Sequence, residues 1–319
     1  MIEKSKYKAN ISFIKSFPVY FILIGLLWIL YVGLTLFAPY SITVNRHGLS
    51  LLQTNLLTST FIIPYLFIWL AGLFAVLKLH FYTKLINNSP EHGGFKKLVW
   101  GMHSLVAVVI IPPFIELVAI YFPESPDILK IVTIVRNNVT VILYLISFFF
   151  FWRGSQTLLQ KFALSNLKHS YLKYILGALF ILASSYIWLV LDNPFRTSSN
   201  DPLVRPTYYL SDIKIFLTVI IPYLLVWLLG LFTIANFRVL IREIPGIIYH
   251  KAFRSFSNGL IIIISLVISL QFLTQATIFF RFVGLGFLLL IIYIIIFSIA
   301  ASYIYLARGA SELSEIEKI

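Results

Sequence analysis

The chain has 319 residues, of which 60% are hydrophobic and 12% charged, and its net charge is +13. Soluble domains carry about 25% charged residues, so this composition points to a membrane protein and away from a soluble domain. Cysteine is absent, which excludes disulfides, thiol nucleophiles, Cys-ligated zinc and iron–sulfur clusters.

Apolar runs of the roughly twenty residues that cross a bilayer predict eight spans, at 18–38, 57–79, 100–121, 131–152, 172–192, 213–235, 257–279 and 282–306. Lipid offers no partner to free backbone groups, and alternating polar and apolar strands are missing, so the spans read as helices. With the N-terminus inside, 18 of the 25 Lys and Arg residues fall in inner segments. Both termini are therefore expected on the cytoplasmic side of the cell membrane. The excess charge is read as loop charge of this kind and not as a nucleic-acid surface. The first span follows a basic start, as a signal peptide would. Its counterpart in the fifth span, with Tyr31, Leu34, Leu36 and Pro39 against Tyr186, Leu189, Leu191 and Pro194, predicts that it is retained.

The second span contains IPYLFIWLAGLF at 63–74, and 158 positions later the sixth contains IPYLLVWLLGLF at 221–232, identical at nine of twelve positions. The correspondence continues through His92 and His250, Phe95 and Phe253, Lys96 and Arg254, and Gly101 and Gly259. The fourth and eighth spans end alike, at Arg153-Gly154-Ser155 and Arg308-Gly309-Ala310, at an offset of 155. The fold class expected is an all-α polytopic membrane protein of two four-helix repeats, 1–153 and 154–319. Four crossings return the chain to its starting side. The repeats should therefore run parallel, about a pseudo-two-fold axis along the membrane normal. No loop exceeds about twenty residues, so no soluble domain is expected. The segment 155–170 reads equally as an interfacial helix or a plain linker.

Tyr65, Trp69 and Gly72 recur at i, i+4 and i+7, one face of a helix, and Tyr223, Trp227 and Gly230 repeat them. One reading has the two helices lining a cavity with the tyrosine hydroxyls as polar handles. The other has the glycines allowing close helix contact with the aromatics filling the space beside them. Glu116 is the carboxylate well inside a span, and intramembrane charge marks a site by default. Arg136 is expected at the same depth on the antiparallel fourth span, with Asn137 adjacent. The group reads as a binding site or as a structural ion pair. Gln271 and Gln275 are the neutral residues that the second half places at this level. His80 and His103, near the inner ends of the second and third spans, are the positions from which a haem would be held. Otherwise no cofactor or metal site is expected. No phosphate loop, metalloprotease helix or nucleophile elbow occurs, so an enzyme has little to rest on.

Three functions follow from these features. The first is a secondary transporter or permease for a small solute, with its site at the repeat interface. The second is a non-transporting scaffold, assembly subunit or sensor module with a membrane-protein partner. The third is a haem-binding electron carrier.

Overall fold

A computed structural model describes residues 19, 22–23, 25–33, 51–121, 126–162, 221–244, 247–268 and 285–315. These residues form α1 (Leu51–Leu85), α2 (His92–Tyr121), α3 (Pro126–Lys161), α4 (Ile221–Glu243), α5 (Ile247–Ile262) and α6 (Leu285–Glu315), with a π-helical turn at Ile263–Ile268 continuing α5. Residues 25–33 are helical too. Among the described residues, six helical segments are long and apolar enough to cross a membrane. The chain is a multi-pass integral membrane protein of the helical type. The expected fifth span at 172–192 lies outside the described residues.

The helices outrun the apolar runs that announce them. α1 has 35 residues, about 52 Å at 1.5 Å per residue, against a hydrocarbon core of about 30 Å. α2 starts at His92, not near 100. α3 continues to Lys161, so the first part of the 155–170 segment is the end of a long helix. Hydropathy marks only the stretch that suits lipid. The backbone ladder keeps its own hydrogen bonds and runs on into the interface.

Large apolar side chains face outward along the bundle, among them Phe67, Ile142, Phe297 and Ile304. Lipid is as apolar as they are, so helix association rests on fit and on small residues. α2 packs most extensively on α3, and α5 packs on α6. Gly154 makes the first contact possible: a Cβ there would fall 2.7 Å from Leu98 and 3.0 Å from the Gly94 carbonyl oxygen. Gly309 makes the second possible: its Cβ would fall 2.9 Å from both Phe256 and the Ala252 carbonyl oxygen. Leu98 and Phe256, like Gly94 and Ala252, are 158 positions apart.

Two further contacts join the first three helices to the last three: α1 packs on α6, and α3 packs on α4. A Cβ on Gly72 would meet Tyr303 and Val106, each at 2.8 Å, while one on Gly230 would run into Ile264 and reach Phe148 at 3.3 Å. These are again matched positions, Val106 with Ile264 and Phe148 with Tyr303. At the end of the bundle rich in Lys and Arg, the Phe95 and Phe253 rings stack with centroids 6.2 Å apart and planes 10° apart. The hydroxyls of Tyr82 and Tyr249 lie 3.1 Å apart beside them.

Candidate functional site

Polar groups from several helices converge at two places. The first is built from the duplicated motif. α1 carries Tyr65 and Trp69, α4 carries Tyr223 and Trp227, and Trp69, Tyr223 and Trp227 are all buried. α3 carries Arg136, whose guanidinium stands within electrostatic reach of the phenol oxygens of both Tyr65 and Tyr223. Tyr31, from the helical stretch 25–33, is a further neighbour of Tyr65. Arg136 donates from Nε (3.3 Å) and Nη2 (3.1 Å) to Oδ1 of Asn137. Its carbonyl accepts from the Thr140 hydroxyl at 2.8 Å. Arg136 is ten residues into α3, about 15 Å along the axis. A cation thus stands within electrostatic reach of phenols from both copies of the motif and in contact with an amide. Such a group offers hydrogen-bond donors and positive charge to a small acceptor-rich or anionic molecule.

The two tryptophans frame this group. Trp69 Nε1 donates to the Val109 carbonyl oxygen at 3.0 Å in a buried contact. That carbonyl is four residues before Pro113, one of two prolines inside α2. Proline has no N–H, so the carbonyl loses its normal partner within the helix, and Trp69 supplies a donor from α1. Phe114 stacks on Trp69 at 6.2 Å, and Tyr31 meets both rings, at 5.9 Å from Trp69 and 5.5 Å from Phe114. Trp227 lies beside Tyr223, centroids 6.5 Å apart.

Of the remaining expected residues, Gln271 and Gln275 lie outside the described residues. Glu116 falls within α2, but its side chain is not among those described.

The second place is a cleft of about 480 Å³ between α1 and α2 at the basic end. It brings together His80 and His103 with three residues that the sequence did not mark as site candidates: Lys84, His92 and Lys96. The spacing held the signal. His80 and Lys84 are one turn apart on α1, and His92, Lys96 and His103 follow at i, i+4 and i+11 on α2. His92 donates from Nδ1 to the Thr83 carbonyl oxygen at 3.0 Å, one of the end carbonyls of α1 that lack a helical partner. His103 donates from Nδ1 to the Val99 carbonyl oxygen at 2.8 Å. A carbonyl only accepts, so each Nδ1 carries the proton, and Nε2 is the nitrogen left for other partners. Among the described residues, no group of three or more His, Asp or Glu is arranged to hold a metal ion.

Comparison with known proteins gives no match to a family model, a curated protein or a solved structure.

Proposed function

We propose that this membrane protein is a permease for a small solute, with its site where two parallel four-helix units meet. The observation that carries the reading is the position of Arg136. A cation held within a helix bundle of this kind is expensive and marks a functional site by default. Here it stands within electrostatic reach of Tyr65 and Tyr223, the residues of the duplicated motif that the sequence assigns to opposite units. The matched packing at Gly72 and Gly230, and at Gly154 and Gly309, supports the two-unit architecture of 1–153 and 154–319 about a pseudo-two-fold axis. The basic end, with Lys84, Lys96, Arg242 and Arg254, is taken as cytoplasmic by the distribution of positive charge. This places Arg136 toward the outer half. Its chemistry favours a solute bearing a carboxylate or a comparable acceptor.

The test is uptake of labelled small carboxylates and neutral solutes into proteoliposomes. Protein-dependent flux of at least one carboxylate is expected, with a loss of tenfold or more in Arg136→Gln (about 1.4 kcal/mol per decade). Flux indifferent to Arg136→Gln, or no protein-dependent flux across the panel, overturns the reading.

A second reading, a non-transporting scaffold or assembly subunit, is favoured by the tight packing around Gly72, where Tyr303 and Val106 leave no room for even one added carbon. Stoichiometric co-purification of a second membrane protein from the native membrane, together with absence of flux, would establish it.

A further inference from the structure

Under a two-fold relation, a residue can meet its own counterpart only where both stand beside the axis. Phe95 and Phe253 are matched positions, and their rings stack with centroids 6.2 Å apart. Each ring centre therefore lies about half that separation from the pseudo-axis of the two-unit reading. Tyr65 and Tyr223 are matched as well, and having Arg136 as a common neighbour sets them about the same axis farther out. Tyr82 meets Phe95 edge-on at 4.9 Å, and it is 17 residues along α1 from Tyr65, about 26 Å at 1.5 Å per residue. The two pairs are thus separated by nearly the thickness of a hydrocarbon core, about 30 Å.

At the inner pair the two halves close on one another. Phe95 and Phe253 are both 0% exposed. Phe253 is backed by Phe237 at 5.6 Å and by Tyr249 at 6.0 Å, and Phe237 stacks in turn on Phe256 at 6.1 Å. Tyr249 also reaches back to the first half, its hydroxyl 3.1 Å from that of Tyr82. The matched positions of Phe237 and Phe256 are Leu79 and Leu98, so leucine fills the equivalent space in the first half and volume alone does not demand rings. Stacked rings close a gap over a broad apolar area. A dry apolar constriction stops ions and small polar solutes by excluding water.

We propose that Phe95 and Phe253 form the inner seal of the permeation path, a hydrophobic constriction on the pseudo-axis latched by the Tyr82 and Tyr249 hydroxyls. The proposal rests on the permease reading with its site at Arg136, and it names the place where that path opens to the cytoplasm.

The chain has no cysteine, so an introduced pair of thiols can be bridged without side reaction at another. The full-length protein is reconstituted in liposomes loaded with chloride, an anion that the Arg136 charge does not repel, and efflux is followed with a chloride-sensitive dye. Phe95→Cys/Phe253→Cys removes both rings and should release chloride faster than wild type. Bridging the two thiols with dibromobimane refills the gap and should return efflux to the wild-type rate. Phe151→Ala/Leu306→Ala truncates another matched and fully buried pair, which packs within each half against Gly101 and Gly259, and should not leak. Circular dichroism and gel filtration verify the fold of each variant. If the cysteine pair does not fold, Phe95→Cys or Phe253→Cys alone supplies the comparison with Phe151→Ala/Leu306→Ala. A folded cysteine variant no leakier than wild type, a leak that bridging leaves unchanged, or an equal leak from Phe151→Ala/Leu306→Ala overturns the seal. Those results leave carboxylate uptake and its dependence on Arg136 standing. Absence of carboxylate flux in a protein whose cysteine pair leaks and is closed by bridging overturns the permease reading and not the seal.

Discussion

Replacing Trp69 with phenylalanine isolates one hydrogen bond whose reason lies on a different helix. Trp69 Nε1 donates 3.0 Å to the Val109 carbonyl oxygen, and that carbonyl lacks its own donor because residue 113 is proline. Phenylalanine keeps a ring for Phe114, now 6.2 Å away, but cannot donate. A buried carbonyl left without a partner costs about 1–3 kcal/mol, and the lost indole volume adds to that. The diagnostic quantity is the dependence on Pro113. Pro113→Ala restores an amide that can bond Val109 within the helix, so Trp69→Phe should then cost less. Interhelical hydrogen bonds in membrane proteins show couplings of about 0.6 kcal/mol on average and up to about 1.7. A coupling near 1 kcal/mol is expected in the cycle of Trp69→Phe with Pro113→Ala. The free energies come from sodium dodecyl sulfate titration in mixed micelles, followed by far-ultraviolet circular dichroism. Independent sites add to within about 0.3–0.5 kcal/mol. A coupling inside that range, or a Trp69→Phe variant as stable as wild type, would refute the link between Trp69 and Pro113.

The matched glycines should respond unequally to alanine. In Gly72→Ala the new Cβ meets the Tyr303 ring at 2.8 Å, a ring held by its hydroxyl's bond to the Leu105 carbonyl oxygen. Overpacking of about 1–3 kcal/mol should outweigh the roughly 1 kcal/mol that alanine gains over glycine in a helix. In Gly230→Ala the nearest obstacle is the Ile264 δ-methyl, which can rotate away, so the same titration should find a change near zero. Ser147→Ala removes a buried 2.8 Å bond from α3 to the Gly101 carbonyl oxygen on α2 and should cost about 1 kcal/mol. Its counterpart Ser302→Ala loses only a bond to Ile299 in its own helix and should cost less. Asn236→Ala removes the 3.0 Å donation to the Ser155 hydroxyl that ties α4 to α3, and a loss of about 1 kcal/mol is expected by thermal unfolding in detergent.

Much of the transmembrane layout was legible because hydropathy and helix length report directly on a lipid environment. The convergence on Arg136 was half legible. One of two readings of the duplicated motif set Tyr65 and Tyr223 on a shared cavity, and Asn137 was expected beside the arginine because it is its neighbour in sequence, but the arginine itself was expected to meet Glu116, whose side chain is not among those described. That Arg136 stands close to both phenols depends on how α1, α3 and α4 pack, which no local pattern encodes. The Trp69 bond to Val109 had a visible cause in the Pro112-Pro113 pair. Its donor lies forty positions away, and only a rotamer on another helix decides which residue serves. The histidine cleft was missed in part because hydropathy ended the second and third spans near residues 79 and 100. The helices continue past both points, and it is this continuation that sets Lys84, His92 and Lys96 opposite one another.

The stacked pair Phe95 and Phe253 bears on ancestry under the two-unit reading. A residue that meets its own counterpart is the signature of an isologous dimer, where the same patch serves both partners. A single unit would have joined its twin through this ring before any linker tied them. The covalent link between the units would then be dispensable for assembly, and halves produced as separate polypeptides should find each other. Covalent fusion also frees each copy to drift alone. Under the same two-unit reading, that freedom would explain how one half can keep His80 and His103 where the other has Arg238 and Ile261.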